Sequence, residues 1–162
     1  MTKVFIDGSA GTTGLRIWQR LAGRKDLALI TLPEELRKDL NARKDALNGA
    51  DVAFLCLPDA AAIEAVSLIE SDHVAVIDTS TAHRVSPDWD YGFPELSSEH
   101  REAIVNSKRV ANPGCHASGF IAGVYPLVKT GVISADFPLT AYSLTGYSGG
   151  GKKMIAEYED EN

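Results

Sequence analysis

Hydrophobic and polar positions alternate along this chain in blocks that change period. "KVFID" (3–7) is a short apolar run that ends in Asp-Gly, the signature of a buried strand. Leu15, Trp18, Leu21 and Ala22 then recur at helical spacing up to Gly23. "LALITL" (27–32) predicts a second strand. Leu36, Leu40 and Leu47 mark a weak helical stripe that stops at Gly49. "DVAFLCL" (51–57) is nearly continuous in apolar residues, as expected for a strand covered on both faces. Asp59 is placed to cap a helix over "AAAIEAVSLIES", and "VAVIDTS" (74–80) predicts the next strand.

The alternation of strand and helix predicts a doubly wound α/β fold with a parallel sheet. Segment 81–100 reads as irregular, with Pro87 and Pro94. "RVAN" predicts one more short strand, "ASGFIAGVYPLVKTG" a helix ending near Gly131, and "LTAYSLTG" a strand. "GYSGGGKK" reads as a second glycine-rich turn.

Glycines punctuate the first strand-to-helix junction. In "DGSAGTTG" they stand at Gly8, Gly11 and Gly14, spaced G-x-x-G-x-x-G rather than G-x-G-x-x-G. Glycine there permits a tight turn and close backbone approach to a phosphate, with a helix N-terminus aimed at it. Ser9, Thr12 and Thr13 add hydroxyls, so Gly8 to Gly14, including Ala10, form the candidate cofactor loop. What meets the ribose stays open. Glu34 and Glu35 fall slightly late for the acid of an NAD site, while Arg37 and Lys38 suit a 2'-phosphate.

The chain has 162 residues, 44% of them hydrophobic and 23% charged, with a net charge of -6. That is ordinary globular composition, and the acidity argues against a nucleic-acid partner. No run is long enough for a membrane span. Two cysteines build no disulfide framework, and a strand begins at once after the N-terminus, so a cytoplasmic setting is expected. No metal-ligand spacing is evident.

The two cysteines differ. Cys56 lies among Leu55 and Leu57 and reads as a buried structural thiol. Cys115 follows Asn112-Pro113-Gly114. Proline has no N–H and glycine has a free φ, so the strand must end there in a turn. The turn delivers Cys115 to a helix start, where a thiolate is stabilised. Its neighbour His116 is a poor partner, because adjacent helical residues do not face each other. His73, His83 and His100 sit in no convincing site. Gly146 and Gly151-Lys152 match P-loop spacing, but Lys153 replaces the magnesium-binding hydroxyl, which argues against the NTPase reading. In "DTSTAHR" (78–84), Arg84 follows a strand end, where ligands of such sheets collect. It reads equally as an anion-gripping residue or a surface arginine.

"GSAGTTG", "DTSTAHR…YGFPEL", "ANPGCHASG" and "TGYSGGGKK", in this order, resemble the shorter type of the N-acetyl-gamma-glutamyl-phosphate reductase family. That is the arginine-biosynthesis branch of a superfamily that also holds aspartate-semialdehyde dehydrogenase. The resemblance implies a Rossmann dinucleotide-binding domain over 1–113. The start of an α+β substrate domain follows over 114–162. It implies NADPH as cofactor, an acyl-phosphate substrate, a homo-oligomer, and Cys115 as the nucleophile that forms a thioester. Gly8 to Gly14 would hold the pyrophosphate, and Ser148, Gly149 and Gly150 the nicotinamide side. Arg84 and Asn112 would face the anionic substrate. Members of the family are about twice this length and carry a catalytic histidine in the second half. The expectation for this chain taken alone is therefore an incomplete substrate site, exposed apolar surface and weak or no turnover. An aspartate-semialdehyde dehydrogenase activity, or a dinucleotide-binding module without catalysis, are the competing expectations.

Overall fold

The computed structural model describes residues 1–159 of the chain, apart from the side chains of residues 148 and 151–153. Six strands form one parallel sheet: β1 (Thr2–Asp7), β2 (Leu27–Ile30), β3 (Val52–Leu55), β4 (Ala75–Asp78), β5 (Asp90–Tyr91) and β6 (Arg109–Ala111). Their order across the sheet is β2-β1-β3-β4-β6-β5, and every pair is parallel. The chain leaves β1 for β2 on one side and returns to β3 on the other. That reversal opens a crevice at the carboxyl ends of β1 and β3, where doubly wound sheets bind ligands.

Helices α1 (Thr12–Leu21), α2 (Leu40–Asn48), α3 (Asp59–Ser67), α4 (Ser98–Asn106), α5 (Cys115–Lys129) and α6 (Gly151–Glu159) connect or follow the strands. Phe5, Ala53, Leu55 and Val76 from the sheet pack with Ala46 and Leu47 of α2 and Ala62 and Ala65 of α3. α3 presents small residues, Ala62 and Ala65, to that core. The C-terminal third packs less. No residue of α5 is buried, and Phe120, Phe137, Tyr142 and Leu144 are all exposed. This agrees with the exposed apolar surface expected of the chain taken alone. Among the described residues no helix is long and apolar enough to cross a membrane.

Several local expectations need correction. The stripe from Leu36 to Leu47 is broken: a 3-10 turn at Glu34–Leu36 precedes α2. Asp39 restarts the helix by accepting a 2.8 Å hydrogen bond from Ala42 N, the usual role of an N-cap carboxylate. Asp59 does not cap α3. Pro58 occupies the cap position, and the Asp59 carboxylate accepts from Thr81 N at 2.9 Å and from the Thr81 hydroxyl. The "irregular" segment contains β5 and the start of α4, whose cap is Ser97. Residues 139–146 form no strand, since no neighbouring strand of this chain lies beside them. The second glycine-rich segment is a 3-10 turn (Tyr147–Gly150) leading directly into α6. Cys56 lies just past the end of β3 and is only partly buried.

Candidate functional site

The loop after β1 is shaped by two glycines that no other residue could replace without backbone movement. Gly8 has φ 85, and a Cβ on it would lie 2.3 Å from the carbonyl oxygen of Cys56. A Cβ on Gly14 would lie 2.4 Å from Gly8 O. Gly11 N donates to Gly8 O at 3.0 Å, closing the turn, and Leu15 N donates to Gly11 O at 2.9 Å as the first bond of α1. The N–H groups of Thr12, Thr13 and Gly14 therefore precede the helical ladder and have no intrahelical acceptor. Gly8, Ser9 and Ala10 line a cavity of about 620 Å³ together with Leu29 to Leu32 at the end of β2. Glu34, Glu35, Arg37 and Lys38 all line it too, so both the acidic and the basic candidates for the ribose stand at the same cavity.

The wall beneath the loop holds a charge cluster that the hydrophobic pattern concealed. Arg43 Nε donates to Asp7 Oδ2 at 3.1 Å, and Arg43 Nη1 donates to Glu64 Oε2 at 2.8 Å. Nη2 approaches Asp7 Oδ2 at 3.0 Å without pointing a hydrogen at it. Burial pushes the Asp7 carboxyl above the usual carboxylate range, and the bond from Arg43 returns only part of that shift. The signal lay in the sequence: Arg43 falls between Leu40 and Leu47 at helical spacing, a charge on an otherwise apolar stripe.

The cysteine turn stands after β6. Asn112 N donates to Asp78 O at 2.7 Å, and Asn112 Nδ2 donates to Pro113 O at 3.0 Å. Gly114 is the N-cap of α5. Its carbonyl accepts from Ser118 N at 2.8 Å and from Ser118 Oγ at 2.9 Å. Cys115 is thereby the first residue of α5, and it is exposed. It lines a cavity of about 870 Å³ with His116, Phe120, Ser143 and Gly149. His116 shares a hydrogen bond between Nδ1 and Ser143 Oγ. Cys56 is the opposite case: burial pushes its thiol up to about 11.

Arg84 lies behind this turn. Its Nε donates to Asn112 O at 3.1 Å and its Nη2 to Thr79 O at 3.1 Å. The loop that carries it is held by Asp78, which is fully buried. That carboxylate accepts from Ser80 N at 2.9 Å, Ser80 Oγ at 2.6 Å and His83 Nδ1 at 2.6 Å. His83 stacks on Trp89 with ring centroids 4.1 Å apart. The sequence suggested no role for His83, and nothing in its spacing marks the Asp78 contact.

The structure thus gathers Gly8, Ser9 and Ala10 at one cavity and Cys115 and Gly149 at another. The two share no lining residue. Gly150 stands in the same 3-10 turn as Gly149, and the side chain of Ser148 lies outside the described residues. Among the described residues no group of three or more His, Cys, Asp or Glu could hold a metal ion.

A parallel doubly wound sheet with a glycine loop at its first crossover is the arrangement of a dinucleotide-binding domain. The comparisons agree. Residues 31–104 match the family model described as semialdehyde dehydrogenase, NAD binding domain, and residues 115–162 match the semialdehyde dehydrogenase, dimerisation domain. The chain belongs to the semialdehyde dehydrogenase family. Within it, the chain is similar to proteins named N-acetyl-gamma-glutamyl-phosphate reductase. One from Chelativorans is 57% identical over 97% of this chain and 51% of its own length. One from Pseudomonas putida is 54% identical over 96% and 50%. The chain spans about half the length of the curated relatives it matches. Among solved structures, an aspartate semialdehyde dehydrogenase from Francisella tularensis aligns over 100% of this chain and 52% of its own. Its TM-score is 0.68 at 19% identity, which is a likeness of fold.

Proposed function

We propose that this chain forms the cofactor-binding and nucleophile-bearing part of an NADPH-dependent reductase of N-acetylglutamyl 5-phosphate, acting in arginine biosynthesis in the cytoplasm. Residues 1–113 are the dinucleotide domain, and 114–162 begin the substrate domain, through which a homo-oligomer forms. The observation that carries the reading is the placement of Cys115. It is an exposed thiol at the first position of a 15-residue helix, in a chain 57% identical to a protein of that name.

The thiolate of Cys115 attacks the acyl carbon, the C–O bond to phosphate breaks, and inorganic phosphate departs with the electron pair. A thioester to Cys115 remains. NADPH, when bound, supplies the hydride that reduces this thioester. Collapse of the resulting tetrahedral oxyanion returns the thiolate and releases the semialdehyde. A thiolate suits both steps, because it attacks well and leaves well. The first-turn N–H groups of α1, with Gly8, Ser9, Ala10 and Gly11, would hold the pyrophosphate. A glycine cradle beside a cavity of about 620 Å³ fits a dinucleotide. Arg37 and Lys38 supply the positive charge for a 2'-phosphate. Gly149, Gly150 and Ser148 would hold the nicotinamide side, and Asn112 and Arg84 would serve the anionic substrate.

The test completes the chain with the C-terminal half of the Chelativorans relative and follows NADPH oxidation. Turnover with N-acetylglutamyl phosphate, lost in Cys115→Ser while NADPH still binds, is the expected result. Turnover that prefers aspartyl phosphate, or that survives the serine variant, overturns the reading.

A further inference from the structure

Both backbone groups of Asn112 are tied down, one to the end of β4 and one to the loop that follows it. Its N–H donates to Asp78 O at 2.7 Å, and its C=O accepts from Arg84 Nε at 3.1 Å. The next residue, Pro113, has no N–H to offer a neighbouring strand. The sheet ladder therefore ends at this point, and the arginine continues it with a side chain. The third nitrogen of the fork closes the clamp. A Cβ on Gly114 would sit 2.8 Å from Arg84 Nη1, so the guanidinium packs closely against the N-cap of α5. Arg84 thus touches or bonds the two residues that flank Pro113, on the path to Cys115.

The geometry points to Arg84 as a positioning residue for Cys115. It is held by the Asp78–His83 pair and acts by fixing the Asn112–Gly114 turn rather than by contacting substrate alone. Only a planar fork bridges two carbonyls in different directions while lying against a third peptide. A lysine ammonium supplies charge without that shape. The loop that aims the fork is itself anchored: Asp78 is fully buried and holds Ser80 and His83, while Trp89 stacks on the His83 ring. Thr81 is bound to Asp59 at the start of α3. The turn that presents the nucleophile is therefore preorganised from its back side, where misplacement by about 1 Å can cost on the order of a hundredfold in rate.

As a statement about catalysis this rests on the reductase reading; as a statement about the turn it does not. The first measurement is amide hydrogen exchange on the intact chain, read in peptides covering residues 112–118. Arg84→Lys and Gly114→Ala, which places a methyl where the guanidinium lies, are each expected to speed exchange there by about tenfold, with peptides from β1 to β3 unchanged. Exchange within about twofold of the parent in both variants overturns the inference. The second measurement uses the chain completed with the Chelativorans C-terminal half. Arg84→Lys is expected to lower kcat by about tenfold or more with KM for the acyl phosphate little changed, and guanidinium chloride should partly restore Arg84→Ala. A raised KM with unchanged kcat overturns the positioning role and leaves Arg84 as a substrate-binding group. If the completed parent does not turn over, the reductase reading fails, and the exchange result still decides the inference.

Discussion

Arg43 reaches under the glycine loop to Asp7, placing its Nε 3.1 Å from the Asp7 carboxylate, with 4% of Asp7 and 6% of Arg43 exposed. Two charges are thus buried at the root of the candidate cofactor cavity. Removing Arg43 leaves the buried Asp7 carboxyl without a charged partner, whereas removing Asp7 leaves Arg43 paired with Glu64 alone.

The pair is asymmetric. Burial raises the Asp7 carboxyl, and Arg43 offsets this only in part. Asp7→Asn leaves the buried Arg43 guanidinium with Glu64 as its charged partner and should cost about 1–3 kcal/mol at neutral pH, less than loss of Arg43. Arg43→Leu strands the carboxylate and should cost about 3–5 kcal/mol. Adding Asp7→Leu to Arg43→Leu should recover much of that loss. The pH dependence has a definite sign. A carboxyl raised on folding contributes stability below its unfolded value, and this is lost as pH rises through the folded value. Urea melts should therefore show the parent falling relative to Asp7→Asn as pH rises above the ordinary carboxylate range.

The glycines of the first loop separate into packing and cradle. Gly8→Ala forces a Cβ to 2.3 Å from Cys56 O at φ 85. It should cost at least about 2 kcal/mol and abolish NADPH binding with the fold. Gly11→Ala meets only Gly8 O, at 3.3 Å, so its stability should stay within about 1 kcal/mol. It should still weaken NADPH binding, because the methyl stands where the backbone approaches the ligand. Equal NADPH affinity in Gly11→Ala would sink the cradle assignment. Calorimetric titration with NADPH, beside a urea melt, reads both quantities.

Cysteine chemistry offers a check that needs no turnover. Cys115 is exposed, whereas burial lifts the Cys56 thiol to about 11. At pH 8 about one Cys56 thiol in a thousand is ionised. Iodoacetamide should therefore label one cysteine per native chain, and peptide mapping should place the label on Cys115. Cys56 should react only in denaturant. Native labelling of Cys56 at a comparable rate would show that the environment past β3 is open.

The elements that were legible in the sequence are those whose period reports burial by contacts within this chain. The strands of the sheet are apolar because helices cover them, and the glycine loop is visible because its backbone leaves no room for a Cβ. The failures have physical causes. Residues 139–146 carry strand-like residues, but a strand needs a neighbour, and none lies beside them. Asp59 has the chemistry of a cap, yet Thr81, in the loop after β4, offers its carboxylate two donors. The bonds from Arg84 to Thr79 O and Asn112 O are silent in the sequence, because backbone acceptors leave no trace there. The Asp78–His83–Trp89 stack is equally silent, since its members meet only through the fold.

His116 provides the last test, since its position beside Cys115 invites a catalytic pair. Consecutive residues at the start of α5 point in different directions, and the His116 ring is engaged with Ser143 through Nδ1. A general base contributes on the order of a hundredfold or more to rate, so replacing a true base should cost at least that. His116→Ala in the completed enzyme is expected to retain turnover within about tenfold of the parent, well short of such a loss. Its pH–rate profile should keep the same limbs. Ser143→Ala, which frees the ring without removing it, should behave in the same way. A loss of a hundredfold or more in His116→Ala, accompanied by disappearance of one limb of the profile, would make His116 the base after all. The 112–118 turn would then present two functional side chains rather than one.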